Sequence, residues 1–203
     1  MNVNLPNGIT LVRLASLPGV LWLMWPGRAT PINAFWAAGV YVLAGIGDVV
    51  DGALARRTGQ VTKLGKFLDP LVDKLFYLVV LIALLQLPGP WVPPWVVMLT
   101  LVRELGITGL RGIAVGEGIV IAAGPGGKLK TSLATAGVVA LLLHYPVCMD
   151  FGVRAYVVDA ATVGLWLTYL SLVISFLSAA AYVAEFVRAL PKVDPTLVHK
   201  EPA

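Results

Sequence analysis

Asp48-Val-Val-Asp51-Gly52-Ala-Leu-Ala55-Arg56-Arg57, a short connection over 58–64, then Gly65-Lys-Phe-Leu-Asp69-Pro70-Leu-Val-Asp73-Lys74: this stretch holds four of the chain's eleven acidic residues inside an otherwise apolar sequence. On a helix, Asp48 and Asp51 stand three residues apart on one face, about 4.5 Å along the axis. Asp69 and Asp73, four apart, share a face of the next helix. Two helices joined by a turn would aim these pairs at each other, and bare charges so placed repel. Two hard divalent cations, Mg²⁺ or Mn²⁺, resolve the conflict, because carboxylate oxygens suit them. Two such ions also suit phosphoryl chemistry, where they clamp the attacking and leaving oxygens. Gly52 and Ala55 let a bulky ligand, such as a nucleotide diphosphate, reach the backbone. The same small residues would equally suit close helix packing. Arg56 adds a bidentate phosphate donor.

The stretch resembles the CDP-alcohol phosphatidyltransferase signature, D-x-x-D-G-x-x-A-R, eight residues, G-x-x-x-D-x-x-x-D. Asp48, Asp51, Gly52, Ala55, Arg56, Gly65, Asp69 and Asp73 fill every fixed position over 26 residues. The resemblance implies transfer of a phosphatidyl group from a CDP-linked lipid to an alcohol, with release of CMP. It implies that Asp48, Asp51 and Asp69 ligate two metal ions with the donor diphosphate. Asp73 resembles the family's general base and also stands in the metal set. Gly52, Ala55, Arg56 and Gly65 would surround the donor nucleotide.

The rest of the chain fits a lipid setting. Of 203 residues, 58% are hydrophobic and 13% charged, with mean hydropathy +0.85. A soluble domain carries about 25% charged residues. The expected fold is therefore all-α, a polytopic membrane protein with six transmembrane helices. The apolar runs have helical length and no alternating polarity, which argues against a barrel. The spans are expected at about 11–25, 32–57, 65–87, 95–115, 131–148 and 157–187. Asn7 would cap a first helix starting near Gly8. The first span lacks a small-residue cleavage site after Trp25, which disfavours a signal peptide. Pro70 predicts either a kink at Asp69 or a helix that begins there. Residues 1–190 read as one domain and 191–203 as a polar cytoplasmic tail. Cys148, the single cysteine, excludes an internal disulfide and reads as a buried small apolar residue. His144 reads as a helix-end residue. The net charge of +4 points to anionic lipid and not to nucleic acid.

The alcohol is read from three further patterns. Asn7-x-x-Thr10-x-x-Arg13, with Pro18 beyond, resembles the amino end of the bacterial phosphatidylglycerophosphate synthase branch. Arg103-Glu-Leu-Gly-Ile-Thr-Gly-Leu-Arg111 resembles the branch's R-E-x-x-x-x-x-L-R stretch, and Gly127-Lys128-Leu-Lys130-Thr131 its G-K-x-K-T. Arg103, Glu104 and Arg111 share nearly one helix face. They either form a self-satisfied ion pair or line a pocket for an anion. An acceptor bearing a phosphate needs extra cations, so Arg103, Arg111, Lys128, Lys130 and Thr131 are the expected acceptor residues, with glycerol 3-phosphate the expected acceptor and CDP-diacylglycerol the donor. Inositol phosphate, or phosphatidylglycerol, is the alternative acceptor. A divalent-cation transporter using the same four aspartates is the alternative of a different class. Gly124-Pro125-Gly126-Gly127-Lys128 has the wrong spacing for a nucleotide-phosphate loop, and no strand is expected before it.

Six spans place both termini on one side. Of fifteen Lys and Arg, only Arg28 and Arg154 fall in the loops on the other side. The positive-inside rule puts the aspartate stretch at the cytoplasmic face of the inner membrane. Trp22, Trp25, Trp36, Trp91 and Trp95 would then mark the outer interface. The family resemblance also suggests a homodimer.

Overall fold

A computed structural model describes residues 5–58, 63–87, 92–117, 119, 121, 126–150 and 155–190; of residues 5–10, 48–58, 63–70, 126, 128, 149–150 and 155–156 it describes the backbone alone. Among the described residues there are six helices, α1 (Leu5–Leu23), α2 (Pro31–Thr58), α3 (Lys63–Leu84), α4 (Pro94–Gly116), α5 (Gly126–Leu143) and α6 (Ala160–Ala189). A two-stranded antiparallel hairpin, β1 (Pro146–Asp150) and β2 (Ala155–Asp159), joins α5 to α6, with Cys148 opposite Val157. The tail 191–203 lies outside the described residues.

Local chemistry sets the ends. Gly27 takes a left-handed φ of 83° in the turn after α1, a conformation that favours glycine. Thr30 Oγ1 accepts from Asn33 N–H at 3.3 Å, and Pro31 opens α2, where its missing N–H would be unpaired anyway. Pro94 opens α4 in the same way. His144, at φ 30°, turns the chain out of α5. Asp159 caps α6, accepting from Ala161 N–H at 3.2 Å and from the Thr162 hydroxyl at 2.5 Å.

Several boundaries differ from the sequence reading. The first helix already runs at Leu5, so Asn7 stands inside its first turn and does not cap it. Pro6 is tolerated there, because the first-turn N–H groups have no helical partner. The helix of Asp69 neither starts nor ends at Pro70: α3 is continuous from Lys63. The fifth helix starts at Gly126 and stops at Leu143, short of Cys148. Cys148 is exposed on β1, not buried, because the chain has left the helical layer before reaching it. The all-α expectation holds for the six helices and misses the hairpin. Its strands carry Val147, Val157 and Val158, β-branched residues that favour pleated pairing.

The core lies where α1, α2, α3 and α5 meet, around Val20, Ala37, Phe76, Val80, Val138 and Leu141, with Val96 of α4 and Leu172 of α6 closing it. Tyr41 of α2 stacks on Phe76 of α3, with ring centroids 5.0 Å apart. Helices α5 and α6 approach most closely. A Cβ on Gly164 would lie 2.7 Å from Leu141 N and 2.8 Å from Gly137 O.

The bundle has two chemically different ends. Trp22 lies in the last turn of α1 and Trp25 just beyond it, Trp36 and Trp95 lie in the first two turns of α2 and α4, and Trp166 in the second turn of α6, all exposed; Trp91 lies outside the described residues. Tyr169 ties two of them, stacking on Trp95 at 5.5 Å and meeting Trp166 edge-on at 5.8 Å. Tyr145 OH donates to Ala29 O at 2.5 Å, so the end of α5 sits at this same aromatic end. Arg111, Lys130 and Glu185 stand toward the other end. By length and composition, α6 is the described helix apolar enough to cross a membrane. Leu11–Leu23, Pro31–Gly47 and Leu129–Leu143 are shorter apolar stretches.

Candidate active site

A cavity of about 450 Å³ opens between α3, α4, α5 and α6. Its wall brings together Asp73 and Lys74 from α3, Arg103 and Arg111 from α4, and Lys130 and Thr131 from α5. A smaller chamber of about 70 Å³ adjoins it on the α1–α2 side and reaches Arg13, Tyr41 and Gly45. Asp73, Lys74, Glu104, Lys130 and Thr131 line both spaces and so form the wall between them.

Asp73 is half-exposed, at 51%, and its Oδ1 accepts from Arg13 Nη2 at 3.0 Å. Arg13 is 9% exposed and lies over the Phe76 ring, 5.1 Å from its centroid. The pair joins α1 to α3 across 60 residues of sequence. Phe76 is one turn past Asp73, so a single face of α3 offers Arg13 both a carboxylate and a ring face.

Glu104 is the buried acid of the site, 8% exposed. Its Oε1 accepts from Arg103 Nη1 at 2.7 Å and from Lys130 Nζ. Arg103 also donates from Nε to the Ser175 carbonyl of α6 at 3.1 Å. Arg103 and Glu104 form the ion pair, and Arg103 and Arg111 also line the cavity. Arg111 lies over the Tyr182 ring at 5.6 Å. Thr131 turns its hydroxyl back to Gly127 O at 3.0 Å, and Ser171 Oγ donates to Lys130 O at 3.0 Å.

The remaining residues expected from the sequence are placed by backbone alone. Asp48, Asp51, Gly52, Ala55 and Arg56 lie on the second half of α2, Gly65 and Asp69 on the first turns of α3, Asn7 and Thr10 on α1, and Lys128 on α5; their side chains lie outside the described residues. The helix period still locates the positions. Tyr41 of α2 stacks on Phe76 of α3, and α1 and α5 pack against both helices. Asp48 follows Tyr41 by seven residues and Asp69 precedes Phe76 by seven. Seven residues are about two turns and about 10 Å of rise, so Asp48 keeps to the Tyr41 face of α2 and Asp69 to the Phe76 face of α3. Gly45, between Tyr41 and Asp48, lines the chamber that Asp73 also lines.

The sequence reading did not select Lys74, Thr108, Tyr182 or Glu185, all on the cavity wall. Lys74 is adjacent to Asp73, and Thr108 is one turn after Glu104; helical spacing from the motifs would have found both. Tyr182 and Glu185 belong to no motif and reach the cavity only through the packing of α6.

Residues 3–182 match the CDP-alcohol phosphatidyltransferase family. A Bacillus subtilis (strain 168) relative, a CDP-diacylglycerol–glycerol-3-phosphate 3-phosphatidyltransferase, is 41% identical over 152 residues, 70% of this chain and 77% of its own length. A probable phosphatidylglycerophosphate synthase of Mycobacterium tuberculosis (strain H37Rv) is 39% identical over 165 residues, 79% of this chain and 75% of its own. A CMP-forming cardiolipin synthase of Streptomyces coelicolor is 36% identical over 115 residues, 55% of this chain and 51% of its own. With its aspartate stretch complete, and matched over nearly its whole length, the chain belongs to the CDP-alcohol phosphatidyltransferase family.

Proposed function

We propose that this protein transfers the phosphatidyl group of CDP-diacylglycerol to sn-glycerol 3-phosphate, giving phosphatidylglycerophosphate and CMP. One observation carries the reading: the Asp73 carboxylate stands on the wall of a cavity that also presents Arg103, Arg111 and Lys130. A base beside a cationic pocket suits an alcohol that bears its own phosphate. The names of the Bacillus and Mycobacterium relatives support the same acceptor.

Asp73 takes the proton of the acceptor hydroxyl, whose oxygen forms a bond to the lipid-side phosphorus. The bond from that phosphorus to the CMP oxygen breaks, and CMP departs. Arg13 holds the Asp73 carboxylate by one oxygen and so orients it. Arg111 and Lys130, with Arg103, Lys128 and Thr131, draw the acceptor phosphate into the cavity. Asp48, Asp51 and Asp69, together with Asp73, would hold two divalent ions. Four carboxylates at three- and four-residue spacings on α2 and α3 suit Mg²⁺ or Mn²⁺, which take hard oxygen donors. When bound, such ions neutralise the donor diphosphate and the charge that builds on CMP. Arg56 adds to that neutralisation, and Gly52, Ala55 and Gly65 leave room for the nucleotide.

The setting belongs to the same proposal. The helices cross the inner membrane several times, the aspartates face the cytoplasm, residues 1–190 form one domain with 191–203 a cytoplasmic tail, and the chain pairs as a homodimer. Support comes from the tryptophans gathered at the opposite end and from exposed apolar residues such as Met98, Val102 and Leu105 on α4 and Val173 and Leu177 on α6. Water-exposed surfaces rarely carry apolar patches of that extent.

CMP release from CDP-diacylglycerol tests the reading. It should require both a divalent metal and glycerol 3-phosphate, and chelation should abolish it. The match to a cardiolipin synthase favours phosphatidylglycerol as the second reading. Release driven by phosphatidylglycerol or inositol phosphate, and not by glycerol 3-phosphate, would transfer the protein to that reading. Metal flux into liposomes without CMP release would make it a transporter.

A further inference from the structure

Two lysines from two different helices end on one turn of α4. Lys130 of α5 donates to the Glu104 carboxylate, and Lys74 of α3 donates to the Thr108 hydroxyl. Glu104 and Thr108 are four residues apart and so stand one above the other on one face. Both lysines line both cavities. Thr108 has a single hydroxyl proton, which goes to Glu104 O at 2.6 Å, so its lone pairs are left to face Lys74. Lys130 is fixed at its other end as well, where Ser171 bonds its carbonyl. A lysine ammonium on a four-carbon stem otherwise wanders among rotamers.

We propose that Glu104 and Thr108 are positioning residues that bracket Lys130 and Lys74 on the wall between the two cavities, presetting a two-lysine seat for the phosphate monoester of the acceptor. Lys74 thereby joins the acceptor site. Arg103 also braces Glu104, its Nε going to the Ser175 carbonyl and its Nη1 to Glu104. The inference rests on the phosphatidyl-transfer reading for the identity of the acceptor. The bracket itself can be tested without turnover.

The test uses the full-length protein in detergent, with Lys74→Met, Thr108→Val, Thr108→Ser and the double variant Lys74→Met/Thr108→Val. The first readout is the rise in thermal midpoint caused by inorganic phosphate. Thr108→Val and Lys74→Met should each diminish it, and Thr108→Ser should retain it. The second readout is CMP release. Thr108→Val should raise the KM for glycerol 3-phosphate by about tenfold, the size of one lost charge-assisted hydrogen bond. It should leave kcat within about twofold and the CDP-diacylglycerol KM unchanged, as expected when binding shared by ground and transition states is lost. Because Thr108 acts through Lys74, the double variant should be no worse than Lys74→Met alone. Additive losses in the double variant, or Thr108→Val with wild-type phosphate protection, would overturn the bracket. Phosphate protection that follows the bracket pattern in a wild type silent toward glycerol 3-phosphate would retain the bracket and refute the transfer reading.

Discussion

At the residue scale the proposed base is Asp73, and its neighbours bear on that role. Its partner Arg13 is almost wholly buried, while Asp73 itself remains half open to the cavity. That combination orients a carboxylate without sealing it from substrate. Asp73→Asn keeps the shape and removes the base, so CMP release should fall by about a hundredfold or more, while equilibrium binding of CDP-diacylglycerol changes little. Equal loss of both would make Asp73 a ligand only. Arg111 stacks on Tyr182 and keeps its charge at the cavity wall. Arg111→Ala should chiefly raise the glycerol 3-phosphate concentration needed for half-maximal rate; an unchanged requirement would remove Arg111 from the pocket. Asp73 and Arg111 were legible in the sequence because each sits in a spaced pattern. The Arg13–Asp73 pair was not, because pairing across three helices is set by packing and leaves no local spacing to read.

Among the elements, α5 and α6 form the tightest joint and hold the back wall of the site. Gly137 and Gly164 bring the two backbones together, and Thr168 fills the space beside Gly137. A methyl on Gly164 meets backbone nitrogen and oxygen, which cannot swing aside as a side chain can. Gly164→Ala should therefore lower stability by about 1–3 kcal/mol, as overpacking does, despite the better helix propensity of alanine. Gly39 on α2 has nothing within 4 Å of a built Cβ. Gly39→Ala is the matched control and should leave the thermal midpoint level or slightly raised. Equal behaviour of the two variants would refute the close-packing account. The helix count was readable from apolar run length. The hairpin was not, because five-residue strands between apolar helices look like the frayed ends of those helices.

For the whole molecule, the decisive feature is the separation of aromatic and charged ends. Trp166 joins the tryptophan belt through Tyr169, and the exposed Cys148 lies on the hairpin between the ends of α5 and α6 at that side. If the aspartates face the cytoplasm, Cys148 faces out. A membrane-impermeant maleimide added to intact spheroplasts should label this single cysteine before lysis. Labelling only after permeabilisation would invert the orientation.

Sequence alone determined the family and singled out the aspartates proposed to react. A two-metal site built on adjacent helices needs fixed i, i+3 and i, i+4 spacings, and these survive in one dimension. Sequence also determined the number of helices, because apolar run length reports burial in lipid or core. Tertiary structure alone decided that Arg13 reaches Asp73, that Glu104 serves Arg103 and Lys130 together, and that Lys74, Tyr182 and Glu185 face the same space. Those meetings depend on which faces of α1, α3, α4, α5 and α6 are pressed together. The close Gly137–Gly164 joint and the stacked Tyr41–Phe76 pair help to set that choice, and no spacing within one helix encodes it.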